Sequence, residues 1–127
     1  MSYVPYPTGT LLVPSGPGKH LFIVVTKKCK DGFHLLFSVS SVKEGVFYDK
    51  SCEFAGGEHV FIKHASFVLY RLADQKKAAV IAKLVDKNLY SVKPDLDEKH
   101  FKRVCRGIGT SKFVAPWALK YYLANKP

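Results

Sequence analysis

The chain has 127 residues, of which 47% are hydrophobic and 24% charged, enough apolar material for one packed domain and too little length for two. No apolar run approaches the ~20 residues of a bilayer crossing, and residues 1–7 lack the pattern of a secretory leader, so we expect a cytoplasmic protein without a membrane partner. Twenty Lys and Arg against ten Asp and Glu give a net charge of +10, which favours a polyanionic partner.

The positive charge is concentrated in the second half of the chain. Residues 1–62 carry six basic and five acidic side chains, whereas residues 63–127 carry fourteen and five. Six cations follow one another without an intervening acid: Lys99, Lys102, Arg103, Arg106, Lys112 and Lys120. Such a surface binds nucleic acid by releasing condensed counterions, although lysines also serve only to keep a small domain soluble.

The first half of the chain has the pattern of β-strands. Residues 8–13 form a short β-prone run, and two prolines and two glycines within residues 14–18 predict an irregular loop after it. Two apolar runs around an Asp-Gly pair, residues 20–26 and 33–40, predict a hairpin. Shorter strand candidates follow at residues 46–48, 51–54, 59–64 and 66–71. Short, closely spaced strands are typical of a small barrel or a strongly bent sheet.

Helical patterns begin at residue 74. Asp74 is a candidate cap for an amphipathic helix with apolar residues at intervals of three and four. Asp95, with Glu98 three positions later, predicts the start of a second helix, which a pair of glycines after residue 106 is expected to end. Pro116 is expected to open a short third helix.

These patterns predict an α+β protein with one domain over residues 1–127. Its β-barrel part occupies the N-terminal residues 1–72, and its basic part, with two or three C-terminal helices, occupies residues 73–127. The three cysteines have no paired spacing, which favours reduced thiols.

The chain lacks the sequence signatures of phosphate-binding loops, dinucleotide-binding folds and zinc ribbons. Cys52, His59 and His64 are the only candidate group of metal ligands. The odd spacing of the two histidines would place them on opposite sides of a continuous strand. We therefore expect neither a metal ion nor another cofactor.

The residue types that phosphodiester cleavage requires are concentrated in residues 58–71. RNA is cut without a metal ion when a base takes the 2′-OH proton, a cation stabilises the phosphorane and an acid protonates the leaving oxygen. The candidate catalytic residues are His59, Lys63, His64 and Ser66, and Arg71 is a candidate phosphate ligand. The two histidines would serve as base and acid, and the cations would hold the phosphate.

The same residue types also have structural explanations. His64 and Ser66 are able to hydrogen-bond a turn, and Tyr70 is able to lie in the core. Residues 110–113 suit either a phosphate-binding loop or a link between two helices. The aromatic residues of the last helix, which would either stack on unpaired bases or pack against the barrel, are Trp117, Tyr121 and Tyr122.

The order of elements in the first half resembles the MazF/PemK-like toxin family. The family begins with a strand that follows a glycine, here Gly9–Val13, then a Pro/Gly loop, here residues 14–18, and a basic pair, here Lys19-His20. An apolar strand and its hairpin partner follow, here Leu21–Val25 and Phe33–Val42. A later Ser-x-Val strand corresponds to Ser66–Tyr70. Lys19-His20 stands where the family usually has Arg-Pro, and Thr10 where it usually has an acid.

The resemblance implies a small SH3-like barrel with appended helices. It also implies metal-independent cleavage of single-stranded RNA, controlled by an acidic antitoxin, with Lys19 as the family's cation. We therefore expect a cytoplasmic endoribonuclease of toxin–antitoxin type from a bacterium or phage, with RNA and an acidic antitoxin-like protein as partners. Dimerisation of two identical chains stays open.

Two other functions fit the same sequence. One is a non-catalytic nucleic-acid-binding module, and the other is a protein-interaction module of phage or mobile-element origin whose basic helices meet an acidic partner. The candidate nucleic-acid-binding residues are Lys19, Arg71, Lys99, Lys102, Arg103, Arg106 and Lys112.

Overall fold

A computed structural model describes residues 2–127 and shows a mixed α+β fold, as the sequence predicts. Met1, the first residue of the predicted domain, lies outside the described residues. In chain order the elements are β1 (Thr10–Ser15), β2 (Gly18–Val24), β3 (Phe33–Ser41), β4 (Glu53–Phe54), β5 (Ser66–Val68), β6 (Asp74–Lys77), α1 (Ala78–Asp86), β7 (Ser91–Lys93), α2 (Glu98–Thr110) and α3 (Pro116–Asn125). A 3₁₀ turn, Tyr70–Leu72, follows β5.

The strands form an antiparallel sheet in the order β4-β5-β3-β2-β1-β7, with β6 also paired to β3. The centre is β3, whose nine residues pair with β2, β5 and β6 along different parts of its length. The predicted hairpin of β2 and β3 is confirmed. Because the pairing does not return from β7 to β4 among residues 2–127, the sheet is open, and the SH3-like barrel stays a prediction.

The first hairpin is tighter than the sequence predicts. The expected irregular loop over residues 14–18 is wrong, because β1 continues to Ser15 and pairs with Gly18 at the start of β2. Only Gly16 and Pro17 form the turn, and Gly16 has φ 61°, a conformation that glycine adopts without steric cost. The hairpin therefore places Lys19 at the beginning of a regular strand.

The later strand candidates shorten or disappear in the structure. Residues 46–48 lie in a loop, and only two residues of the 51–54 candidate form β4. Residues 59–64 form a compact turn, in which the Gly57 N–H donates to the Ile62 carbonyl at 2.7 Å. A segment with three consecutive apolar residues, 60–62, therefore forms a folded loop here instead of the predicted strand.

The predicted helix start at Asp74 is wrong. Residues 74–77 form β6, whose backbone pairs with the first half of β3, and the Asp74 carboxylate lies 3.0 Å from Lys76 Nζ. Helix α1 begins only at Ala78, after Lys77 as the N-cap residue. Pairing with β3 satisfies those backbone groups of residues 74–77 that face it, so this polar segment joins the sheet.

Helix α2 begins three residues after the predicted cap, Asp95, and runs through both glycines that were expected to end it. Its cap is Asp97, whose Oδ1 accepts the N–H of Lys99 at 2.8 Å. Gly107 lies against Tyr70, and a Cβ at this position would overlap the phenol ring. Tyr70 is fully buried, and its Oη donates to the Val104 carbonyl at 2.6 Å. Gly107 thus permits close packing of the helix against the sheet.

The core has two clusters of buried side chains. The larger lies between the sheet and helices α2 and α3 and contains Phe37, Tyr70 and Ile108; the smaller lies under α1 and contains Leu11 and Ile81. Within residues 2–127, every helix is too short or too polar to cross a bilayer.

The two glycines of α2 provide a matched test of this packing. Gly107→Ala should lower the free energy of unfolding by about 1–3 kcal/mol, because the added methyl group must displace Tyr70. A Cβ at Gly109 meets open space, so Gly109→Ala should be neutral or raise stability by up to about 1 kcal/mol. Urea unfolding of both variants measures the difference, and equal effects would contradict the packing role of Gly107.

Candidate functional site

A groove of about 750 Å³ opens between the end of β3, the loop over residues 42–52 and the loop over residues 55–65. The start of β2 and the 3₁₀ turn after β5 complete its walls, and Phe113, from the link between α2 and α3, lies at its rim. The groove is therefore built from segments that are far apart in the sequence.

Four cations line the groove, each from a different segment. Lys19 comes from β2, Lys43 from the residues after β3, Lys63 from the 55–65 loop and Arg71 from the 3₁₀ turn. All four side chains are exposed. Since one carboxylate, that of Asp49, faces them among the described lining residues, the groove attracts anions.

The Asp49 carboxylate ties two loops together. Ser111 Oγ donates to Asp49 Oδ2 at 2.6 Å, and the N–H and Oγ of Ser51 donate to Oδ1 at 3.0 and 2.6 Å. Burial alone would raise the pKa of Asp49, but these hydrogen bonds outweigh it and hold the pKa below its ordinary value. The loop over residues 42–52 is thereby held to the end of α2.

Two imidazoles lie in the groove. His64 is exposed at the end of the 55–65 loop, and His20 is partly buried beside Lys19 in β2. A groove that is lined by two imidazoles and by Lys63 and Arg71 has the groups for proton transfer and for charge stabilisation at a phosphodiester.

His59, the other candidate base, lies outside the groove and is only 6% exposed. The Phe61 N–H donates to Nδ1 at 3.0 Å, so Nε2 carries the proton and donates to the Pro94 carbonyl at 2.8 Å. Both ring nitrogens are therefore used to hold the 55–65 loop against the segment before α2. The structure gives His59 a positioning role.

Glu58 anchors the same loop to α2. The Ala55 N–H donates to Oε1 at 2.6 Å, and Oε2 lies 2.9 Å from His100 Nε2 and 3.2 Å from Arg103 Nη1. The bond from Ala55, together with Arg103 and His100, holds the pKa of Glu58 below its ordinary value. Arg103 also donates to the Glu53 carbonyl, so this cation is used within the fold.

The structure brings five of the predicted site residues together in the groove: Lys19, Lys63, His64, Ser66 and Arg71. Ser66 is only 5% exposed, and its Oγ donates to the His64 carbonyl at 2.8 Å. The hydroxyl therefore shapes the turn that presents the imidazole, which was the structural alternative for this residue.

The basic residues of α2 lie on a separate surface. Lys99, Lys102 and Arg106 are exposed around a second, shallower depression on the helix, and Lys102 is 3.6 Å from the Glu98 carboxylate. Lys112 is exposed and directly precedes Phe113 at the groove rim. The densest run of cations in the sequence therefore does not form the groove.

The three candidate metal ligands, Cys52, His59 and His64, do not form a common site. Cys52 is buried in the core, whereas His59 and His64 lie at opposite ends of a loop. No three His, Cys, Asp or Glu side chains within residues 2–127 form a group suited to a metal ion.

The aromatic residues predicted to contact bases do not line the groove. Tyr121 Oη donates to the Phe33 carbonyl at 2.8 Å, and Tyr122 packs against the larger core. Trp117 is 46% exposed on α3 but lies outside the groove.

Sequence reasoning missed several residues of the groove: His20 and Lys43, and the aromatic residues Phe47, Phe61 and Phe113. His20 adjoins the predicted cation Lys19, and this adjacency was a usable signal. The others lie in irregular loops whose residues meet only after the chain has folded, so no local pattern identifies them.

No protein-family model matches the chain, and no curated protein matches it.

The two histidines of the 55–65 loop should respond differently to removal. His59→Ala should lower the free energy of unfolding by about 1–3 kcal/mol, because it removes the acceptor of the Phe61 N–H and one of the two donors to the Pro94 carbonyl, which keeps only Thr10. His64→Ala, at an exposed position, should change it by less than about 0.5 kcal/mol. Thermal or urea unfolding decides between them; equal stability of both variants would contradict the positioning role of His59.

Proposed function

We propose that this protein binds nucleic acid in the groove, with phosphates held by Lys19, Lys43, Lys63 and Arg71. The observation that carries the proposal is the convergence of these four exposed cations, from four chain segments, on one concave surface. Each cation that neutralises a phosphate releases condensed counterions, which supplies much of the binding free energy at low salt.

Two further features support nucleic acid over a small anion. The groove has room for several groups, at about 750 Å³, and aromatic rings share its lining with the cations. Phosphates need the cations, and bases offer flat faces for the rings. A small inorganic anion would use the charges alone.

Removal of a groove cation should weaken binding and reduce its salt dependence. For Lys63→Ala and for Arg71→Ala, we expect the slope of log K against log salt to become shallower by about one unit each. Fluorescence anisotropy with a labelled RNA oligonucleotide, measured over a series of salt concentrations, gives this slope.

Lys83→Ala is the matched control, since Lys83 is an exposed lysine on α1 outside the groove. It should leave the slope unchanged. If Lys83→Ala and Lys63→Ala weaken binding equally, the protein attracts nucleic acid through its overall charge, and the groove is not the site.

As a second candidate function, we propose that the groove cleaves single-stranded RNA without a metal ion. The observation that favours it is that His20 and His64 line the same groove as Lys63 and Arg71. The resemblance to the MazF/PemK-like toxins implies the same activity, and it also implies an SH3-like barrel, which we propose as the finer description of the strands.

The chemistry would proceed by transfer of two protons. One imidazole takes the proton of the 2′-OH, the 2′-oxygen bonds to phosphorus, and the P–O5′ bond breaks as the other imidazole, in its protonated form, protonates the leaving 5′-oxygen. The products are a 2′,3′-cyclic phosphate and a 5′-hydroxyl. The nearby cations would stabilise the extra negative charge of the phosphorane.

This second function predicts cleavage of an RNA oligonucleotide in excess EDTA. His64→Ala should slow it by about 10²–10⁴-fold without changing stability, whereas Lys83→Ala should cleave at the wild-type rate. DNA of the same sequence lacks the 2′-OH and should stay intact. Gel analysis of end-labelled strands detects the products. Absence of cleavage by the wild-type protein would leave nucleic-acid binding as the function.

If the protein is a toxin of this type, the cations of α2 would bind the antitoxin. Lys99, Lys102 and Arg106 lie away from the groove and suit the carboxylates of an acidic antitoxin-like protein. We propose such a protein as the partner of this helix, and the cytoplasm, where RNA is the substrate, as the location.

A further inference from the structure

Two exposed phenylalanines form a pair at the rim of the groove. Phe47 is 79% exposed and Phe113 is 44% exposed, although both are large apolar side chains. Their ring centroids are 5.7 Å apart, with the planes at 66°, an edge-to-face arrangement. Both rings line the groove. Apolar rings in this position offer contact area that the fold itself leaves unused.

The loops that carry the pair are fixed by hydrogen bonds. Ser111 Oγ donates to Asp49 Oδ2 at 2.6 Å, and Ser111 Oγ also accepts the N–H of Phe113 at 3.0 Å. One serine therefore positions both the loop that carries Phe47 and the link that carries Phe113. The rings are held near each other before any ligand arrives, which reduces the entropy lost on binding.

We infer that Phe47 and Phe113 are the stacking site for an unpaired base of the strand bound in the groove. This inference rests on the proposed function. The cations Lys43, Lys63 and Arg71 line the same groove, so a phosphate held there would bring its attached base within reach of the rings. Bases within a duplex are already stacked on their neighbours and have no free face, so this contact selects single strands.

The test compares three ligands of identical phosphate count per strand: a 12-nucleotide single strand, a strand of the same length that is abasic at every position, and the duplex of the intact strand. Phe47→Ala and Phe113→Ala should each weaken binding of the intact strand by about 5- to 100-fold. Neither substitution should change binding of the abasic strand or of the duplex. Leu123→Ala removes a 56% exposed side chain outside the groove and should change none of the three.

The abasic strand separates the inference from the function beneath it. Salt-dependent binding of the abasic strand by the wild-type protein reports the groove cations alone. If the wild-type protein binds none of the three ligands, both proposals are overturned. If the strands bind but Phe47→Ala weakens the intact and abasic strands equally, or weakens neither, base stacking at this pair is overturned while phosphate binding stands. Phe47→Trp keeps an aromatic face and should retain binding of the intact strand, which excludes a general effect of changing the loop.

Discussion

The docking of α2 onto the sheet fixes the groove. Gly107 lets the helix approach Tyr70, whose hydroxyl bonds to the helix backbone. Arg103 holds the 55–65 loop through Glu58, and Ser111 at the end of the helix holds the 42–52 loop through Asp49. Each contact joins the helix to a different wall of the groove. Because the two loops have little regular structure of their own, their positions depend on such contacts with the helix and, for the 55–65 loop, also on the bond from His59 to Pro94.

The basic side chains therefore divide into two kinds. Arg103 is half-buried between the Glu58 carboxylate and the Phe54 ring, where replacing it would remove one partner of that carboxylate and the side-chain donor to the Glu53 carbonyl. Lys63 and Arg71 are exposed in the groove, where a ligand can reach them. The sequence shows the same residue types in both roles. Net charge and charge density indicate the class of partner, but the site follows from which cations the fold leaves accessible.

Local patterns in the sequence predicted the elements that depend on local interactions. The β2–β3 hairpin follows from its turn, and α3 begins at Pro116, which suits the first turn of a helix. The failures are nonlocal. Residues 74–77 form a strand because β3 offers a free edge some forty positions earlier in the chain, and their polar sequence carries no strand pattern. Residues 59–64 form a turn because His59 bonds to Pro94, a contact that periodicity does not contain.

The groove illustrates the same limit for chemistry. His59 and His64 are equivalent as members of a motif, yet the fold gives them opposite properties. Both ring nitrogens of His59 are bonded to backbone groups, so neither is available to a ligand. His64 is exposed beside Lys63, and its ring is open to a ligand. Hence an imidazole in a basic, β-rich segment becomes a candidate base only when the hydrogen bonds of the fold leave its nitrogens available. Here the buried His59 orients the loop that presents His64.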